Sequence, residues 1–171
     1  KGLIEKVVAT ARMPVIKHYD GVCHLYVHED ADPAMALNLI VHSKCQKPGV
    51  CNALETLLVH RSLAAAFYPQ LGRELAQHRV EVRADPAAAA ALGIPSQPAT
   101  DDDWRAEYLD LILAVKTVSS LEEAIEHINH HGSHHTDGII TRDEAAAARF
   151  QHEVDSAVVT HNASTRFNDG G

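Results

Sequence analysis

The chain has 171 residues, with 15 basic and 23 acidic side chains, a formal charge of −8 and 46% hydrophobic residues. These values are typical of one folded domain and exclude general disorder. The negative charge argues against nucleic-acid binding, which needs a basic face, and no apolar run approaches the roughly 18 residues that span a membrane.

In the first half of the chain, helical and strand-like patterns alternate. The predicted elements are a helix over 2–12, a strand over 22–28, a helix over 32–43, a strand over 54–59 and a helix over 62–77. Asp32 followed by Pro33 is typical of a helix start, with Asp as the N-cap and Pro at the first position. Ser62 is expected to cap the next helix, whose apolar residues recur every four positions.

The second half continues the alternation. The predicted elements are a strand over 80–82, a helix over 85–93, a surface loop over 95–103, a strand over 111–118, a helix to about 130, a strand over 138–141, a helix over 143–153, a strand over 157–160 and a polar tail over 162–171. The run 111–118 is the longest apolar one, so we expect a central strand there. A serine at 119–120 and a glutamate at 122–123 resemble a capping box. Strands separated by helices of this length predict an α/β sandwich on a largely parallel sheet.

The loop between the second helix and the second strand carries a candidate nucleophile, Cys51. Pro48 and Gly49 predict a tight, exposed loop, in which a substrate can reach the thiol. Lys44 and Lys47 would favour the thiolate, which is the reactive form, and backbone N–H groups of the loop would face a developing oxyanion. The alternative is that Cys51 is an inert loop residue.

The other two cysteines, Cys23 and Cys45, are expected to be structural. Three cysteines are too few, and an odd number, for a disulfide framework, which favours reduced thiols and a cytoplasmic location. The chain lacks a signal peptide, begins without Met and ends on two glycines. We therefore expect a piece of a longer protein.

A histidine-rich run, HHGSHH (130–135), is the one metal-site candidate in the sequence. Adjacent histidines at the end of a helix usually lie in solvent or interact with the helix end, and the spacing of Cys45 and Cys51 is not that of a zinc site. No metal is therefore predicted. The chain also lacks G-x-G-x-x-G and P-loop motifs, the two common nucleotide-binding loops, and it lacks the G-x-S-x-G motif of serine nucleophiles.

Two further segments carry charges of possible use to a ligand. Arg166 lies in the polar tail, where a guanidinium suits bidentate contact with a carboxylate or phosphate, although a solvated loop is the alternative. Glu107, taken alone, is predicted to be a solvated charge that precedes the long strand.

Several motifs in order resemble the gamma-glutamyl phosphate reductases (glutamate-5-semialdehyde dehydrogenases), a family of the aldehyde dehydrogenase superfamily. PGVCNA (48–53) and ETLLV (55–59) resemble the segment of the catalytic cysteine. The other matching motifs are PVIK (14–17), GVCH (21–24), GSHHTD (132–137) and NASTRF (162–167). The resemblance covers nearly the whole chain.

The resemblance implies that residues 1–171 are the catalytic domain, a three-layer αβα sandwich, without the cofactor-binding domain. It implies NADPH-dependent reduction of L-glutamyl 5-phosphate to L-glutamate 5-semialdehyde and phosphate through a thioester on Cys51, the second step of proline biosynthesis. Family members commonly form homo-oligomers. The alternatives are a related aldehyde dehydrogenase acting on another aldehyde, and a non-catalytic oligomerisation fragment.

The resemblance also implies roles for individual residues. Asn52 and the backbone at Cys51 would hold the oxyanion, and Glu107 would bind the nicotinamide ribose. The residues implied to bind the amino-acid end or the phosphate of the substrate are Arg166, Ser164 and Thr165.

Overall fold

Seven parallel strands form one sheet in a computed structural model, which describes residues 2–15 and 20–168. The strands are β1 Cys23–Val27, β2 Leu54–His60, β3 Glu81–Ala84, β4 Gln97–Pro98, β5 Ile112–Val118, β6 Thr136–Ile140 and β7 Val158–His161. Their order is β4-β3-β5-β2-β1-β6-β7, and every neighbouring pair is parallel. The expected α/β fold with a largely parallel sheet is confirmed. The second half of the 14–17 motif and the end of the predicted tail lie outside the described residues.

Six helices connect or precede these strands in the described part of the chain. They are α1 Gly2–Thr10, α2 Pro33–Cys45, α3 Arg61–Gln77, α4 Pro86–Ala91, α5 Leu121–His131 and α6 Glu144–Glu153. Residues of α2, α3 and α4 pack on one face of the sheet, and residues of α5 and α6 pack on the other. The architecture is therefore the three-layer αβα sandwich that the resemblance implied. No helix among the described residues is long and apolar enough to cross a membrane.

Local capping explains most helix starts. The carboxylates of Asp32 and Asp143 each accept hydrogen bonds from two N–H groups of the first turn, of α2 and α6 respectively, and Asp85 accepts one from α4. Ser120 is the N-cap of α5, and the Glu123 carboxylate reaches back to the backbone of Ser119, as a capping box does. Each cap satisfies backbone donors that have no partner within the helix.

Two predicted details were wrong. The N-cap of α3 is His60, not Ser62, because the His60 ring accepts the N–H of Ser62 and the helix already begins at Arg61. The loop over 95–103 contains the short edge strand β4, and a 3-10 turn, Asp103–Arg105, begins at its last residue. The long apolar strand β5 is interior, as expected of a central strand, and lies beside β2 at the middle of the sheet.

Candidate active site

Glu107 and three of the matching motifs, 21–24, 48–53 and 132–137, lie at the amino ends of the strands. Gly21 precedes β1, Cys51 precedes β2, Glu107 precedes β5 and Ser133 precedes β6. Since β5, β2, β1 and β6 are successive neighbours in a parallel sheet, these four segments meet along one edge. The sheet thus brings residues that are far apart in sequence to one place.

Cys51 lies in a tight turn over 50–53, closed by a hydrogen bond of 3.0 Å from Ala53 N to Val50 O. Of the three cysteines, Cys51 is exposed, Cys45 is half-buried and Cys23 is buried. Burial raises the pKa of Cys45 and, more strongly, that of Cys23, which disfavours their thiolates. The Cys23 thiol donates to the carbonyl of Cys51 at 3.3 Å and so supports the turn from below. Cys51 is therefore the thiol that a substrate can reach.

Gly21 packs directly against the backbone of this turn. A Cβ at this position would lie 1.8 Å from the carbonyl oxygen of Cys51, so the close approach requires glycine. The Gly21 N–H donates to Glu107 Oε1 at 2.8 Å, and the next N–H, of Val22, donates to Ser133 Oγ at 2.8 Å. Sequence reasoning missed the role of Gly21, because the requirement comes from a loop thirty positions further along the chain.

Glu107 is half-buried and is linked to Cys51 through this single residue. Among the described residues, its Oε2 has no hydrogen-bond partner, so one oxygen positions Gly21 while the other can accept from a ligand. The structure therefore brings two of the candidate residues, Cys51 and Glu107, together.

A buried ion pair lies at the base of the turn. Lys44 Nζ donates to Glu55 Oε2 at 2.7 Å, and both side chains are fully buried. Burial raises the pKa of Glu55 to about 7 and lowers that of Lys44. The suggestion that Lys44 activates the thiol of Cys51 was wrong, because its ammonium is turned inward to Glu55; Lys47 is exposed.

Asn52 joins the turn to the tail of the chain. Its side chain is 2% exposed, and its Nδ2 donates to the carbonyl of Asn168 at 2.9 Å. Asn168 in turn donates to Thr136 Oγ1 at 2.7 Å. The Oδ1 atom of Asn52 is buried without a partner among the described residues. This hydrogen bond links Asn52 to the tail of the chain and uses one of the two hydrogens of its amide group.

The three tail residues implied to bind substrate lie at a 3-10 turn, Thr165–Phe167, packed on α2. Ser164 is fully buried, with its hydroxyl 2.8 Å from both His42 Nδ1 and Ser43 Oγ. Thr165 is also buried, and its hydroxyl has no partner in the described chain. Arg166 is half-buried and donates to Gln46 Oε1 at 3.4 Å. Of the three, only Arg166 is charged, and only Arg166 is partly exposed.

The histidine run does not converge on one point. His134 interacts with Asp155, His130 contacts Arg105, and His135 lies 2.8 Å from the hydroxyl of Thr136 and 3.9 Å from the sulfur of Cys23. No group of three or more histidine, cysteine or acidic side chains able to hold a metal occurs among the described residues.

A second buried polar cluster, between β1, β5 and α5, was not anticipated. His24 is hydrogen-bonded through Nδ1 to Asp137 Oδ1 at 2.9 Å, and Lys116 Nζ donates to His127 Nδ1 at 3.1 Å. His127 also packs on the ring of Trp104. Burial lowers the pKa of His127 to about 2, so this ring is neutral in the folded protein near neutral pH.

Comparisons with known proteins agree with this architecture. No protein-family profile matches the chain. Gamma-glutamyl phosphate reductase from Anaeromyxobacter dehalogenans is 53% identical over 172 residues, covering 99% of this chain and 40% of that protein. The crystal structure of gamma-glutamyl phosphate reductase from Thermotoga maritima gives a TM-score of 0.94 at 45% identity, over 99% of this chain and 41% of that chain.

More distant structures share the fold. An acetylating aldehyde dehydrogenase from Geobacillus thermoglucosidasius gives a TM-score of 0.74 at 24% identity, over 97% of this chain and 45% of that chain. Glyceraldehyde-3-phosphate dehydrogenase from Methanocaldococcus jannaschii, solved in complex with NADP, gives a TM-score of 0.76 at 16% identity, over 98% of this chain and 45% of that chain.

The fold and the sequence similarity together place the chain in the aldehyde dehydrogenase superfamily. Its sequence relatives at 51–53% identity are gamma-glutamyl phosphate reductases, a similarity that its motifs also indicated. The chain spans about 40% of the length of the curated relatives that it matches.

Proposed function

We propose that this chain is the catalytic domain of an NADPH-dependent reductase that converts L-glutamyl 5-phosphate to L-glutamate 5-semialdehyde and phosphate. The observation that carries the proposal is the exposed Cys51, whose turn contacts Gly21, the residue that also donates to Glu107. This arrangement supports the proposal because one glycine contacts both the turn of an exposed thiol and a carboxylate able to accept from a cofactor hydroxyl. The names of the relatives supply the substrate.

Cys51 forms and breaks the covalent bond in this proposal. Its thiolate attacks the acyl carbon, a C–S bond forms, and the C–O bond to phosphate breaks as phosphate leaves with the electron pair. Bound NADPH supplies the hydride that reduces the resulting thioester. The C–S bond then breaks, so the aldehyde leaves and the thiolate is restored.

The neighbouring residues bind and orient. Backbone N–H groups of the turn, with the amide of Asn52, donate to the oxyanion that develops on the acyl carbonyl. Glu107 accepts from a ribose hydroxyl of the cofactor through Oε2, the oxygen that does not accept from Gly21. Arg166 binds an anionic group of the substrate, while the buried Ser164 and Thr165 form the turn that holds Arg166 in place. The nicotinamide cofactor of the structural neighbour and the reductase names of the relatives support a hydride donor here.

The test uses the full-length protein that contains this chain. NADP⁺ reduction by glutamate 5-semialdehyde is followed with and without phosphate, for the wild type, Cys51→Ala and the matched control Cys45→Ala. We expect phosphate-dependent turnover that is lost in Cys51→Ala and retained in Cys45→Ala.

Each other outcome contradicts a specific part of the proposal. Undiminished turnover in Cys51→Ala would show that the nucleophile is another residue. Turnover independent of phosphate would indicate the alternative, an aldehyde dehydrogenase that hydrolyses its thioester. The family resemblance also predicts self-association and a cytoplasmic location.

A further inference from the structure

The buried ion pair between Lys44 and Glu55 closes the loop that carries Cys51. Lys44 lies in the last turn of α2 and Glu55 is the second residue of β2, so the pair joins the two ends of the segment between them. Their charged atoms are 2.7 Å apart and neither side chain is exposed. Burying two charges costs free energy that their attraction only partly offsets. A purely apolar contact at this position would serve folding as well.

Glu55 also holds a second segment of the site. Its other oxygen, Oε1, accepts from the backbone N–H of Leu109 at 3.3 Å. Leu109 has a φ of 56°, a left-handed conformation that a leucine rarely adopts and that costs about 1–3 kcal/mol. This residue is only two positions from Glu107, so the hydrogen bond fixes the backbone that presents the Glu107 carboxylate.

These contacts form a closed ring. From Cys51 the ring passes through the close contact with Gly21 to Glu107, and from Glu107 along the backbone to Leu109. It returns through Glu55 and Lys44 to the loop of Cys51. The proposed nucleophile and the proposed ribose ligand flank Gly21 in this ring, across from the ion pair of Lys44 and Glu55.

We propose that Lys44 and Glu55 are positioning residues that set the distance between Cys51 and Glu107, and hence between the thioester and the cofactor. This inference rests on the proposed function. The inference goes beyond that function by assigning a role in hydride transfer to a charged pair that contacts neither substrate nor cofactor. Errors of about 1 Å in such a distance can reduce a rate by about a hundredfold.

The principal variant is the double substitution Lys44→Met/Glu55→Leu in the full-length protein. It removes both charges together, so it avoids leaving one buried charge unpaired, and replacements of this kind are often neutral for stability. The matched control is Arg149→Leu/Glu153→Leu, which removes an exposed ion pair of 2.9 Å on α6. Thermal unfolding establishes that each protein is folded.

Two readouts test the positioning role. In the double variant we expect kcat/KM for NADP⁺ to fall by about tenfold or more, with a rise in KM, while the control keeps the wild-type values. We also expect amide hydrogen exchange to rise by about threefold or more at Leu109 and at Gly21, which lies on the far side of the ring. A pair that only stabilises the loop would leave Gly21 protected.

A folded double variant with wild-type kcat/KM and wild-type exchange at Gly21 would overturn the inference. If the double variant does not fold, Glu55→Gln replaces it, since one of the two accepting oxygens becomes an NH₂ group that cannot accept from the Lys44 ammonium or the Leu109 N–H. Faster exchange at Gly21 supports the inference and unchanged exchange overturns it. Hydrogen exchange needs no substrate, so it reports on the ring even if Cys51→Ala shows that the proposed function is wrong.

Discussion

At the scale of single residues, the contact between Gly21 and Cys51 is the most restrictive feature of the site. The turn carries its thiol outward because its carbonyl side rests directly on a residue without a side chain. The same glycine donates its N–H to Glu107. One residue thus contacts both the turn of the proposed nucleophile and the carboxylate of Glu107.

We therefore expect Gly21→Ala to impair the site severely. The added methyl group would lie 1.8 Å from the carbonyl oxygen of Cys51, so the turn must move, at a cost of about 1–3 kcal/mol. Phosphate-dependent turnover should fall by about a hundredfold, and iodoacetamide labelling of Cys51 relative to Cys45 should change. Steady-state kinetics and mass spectrometry of the labelled thiols provide the measurement.

Two other glycines serve as controls for this substitution. In Gly72→Ala the methyl group would lie 2.0 Å from the carbonyl of Leu92, so the variant should lose stability while Cys51 reacts normally. In Gly49→Ala the nearest atom, the carbonyl of Leu109, is 3.6 Å away, and the change should be tolerated. Wild-type turnover in Gly21→Ala would refute the restrictive role assigned to Gly21.

The exposed position of Cys51 could be predicted from the local sequence, whereas the residues that support its turn could not. A proline and a glycine just before it indicate an exposed turn in any context. The contacts from Gly21, Cys23 and Glu107 depend on strands that become neighbours only in the folded sheet. For the same reason Lys44 was assigned to the thiol, since its partner Glu55 cannot be inferred from spacing alone.

At the scale of elements, helix α5 packs a histidine, His127, against the sheet, and the ring of this histidine must remain neutral there. His127 packs against β5, where Lys116 donates to its Nδ1, and His24 and His131 also contact its ring. Burial lowers the pKa of His127 from 6.5 to about 2 and that of His131 to about 4. The folded state therefore binds fewer protons than the unfolded chain below about pH 6.5.

Stability should accordingly fall as the pH decreases through about 6.5. One pH unit of this difference corresponds to about 1.4 kcal/mol, so His127 contributes a loss of about 2 kcal/mol by pH 5. His127→Leu should flatten this dependence, whereas His152→Leu, at an exposed position of α6, should not. Urea unfolding at several pH values measures the effect. Equal slopes in the wild type and His127→Leu would contradict it.

The elements themselves were largely predictable because their signals are local. Asp32 caps α2 through its own side chain, as expected, and Asp85 and Asp143 do the same at α4 and α6, whose starts were predicted at those positions. The exceptions involve competition between neighbours. At the start of α3 the ring of His60 takes the role expected of Ser62. Strand β4 has only two residues, one of them Pro98, and pairs with β3 alone at the edge of the sheet.

At the scale of the whole molecule, only Glu107 among the described residues is assigned to the cofactor. The chain has no glycine-rich nucleotide-binding motif, and it spans about 40% of the length of its relatives. We expect the 171-residue chain alone to show little reductase activity and no saturable binding at micromolar NADPH. Fluorescence titration of NADPH, with the full-length protein as the positive control, measures this. Tight binding by the chain alone would contradict the expectation.

The alternation of strands and helices predicted a parallel sheet but not the order of its strands. A helix that connects two strands returns the chain to the edge where the first strand began, so the two strands run in the same direction, and this follows from the pattern. That β2 lies between β5 and β1 depends on long-range packing. The position of the site along the edge could not be derived before this order was known.

The amino-edge location of the site has an electrostatic consequence. In a parallel α/β sheet the helices run opposite to the strands, so α2 and α5 direct their carboxyl ends to this edge. Each such end carries about half a negative charge, the reverse of the helix amino ends that commonly bind phosphate. The aligned peptide dipoles thus repel an anion here. Recognition of a phosphorylated substrate would rest on discrete cations such as Lys47 and Arg166, and would weaken with added salt.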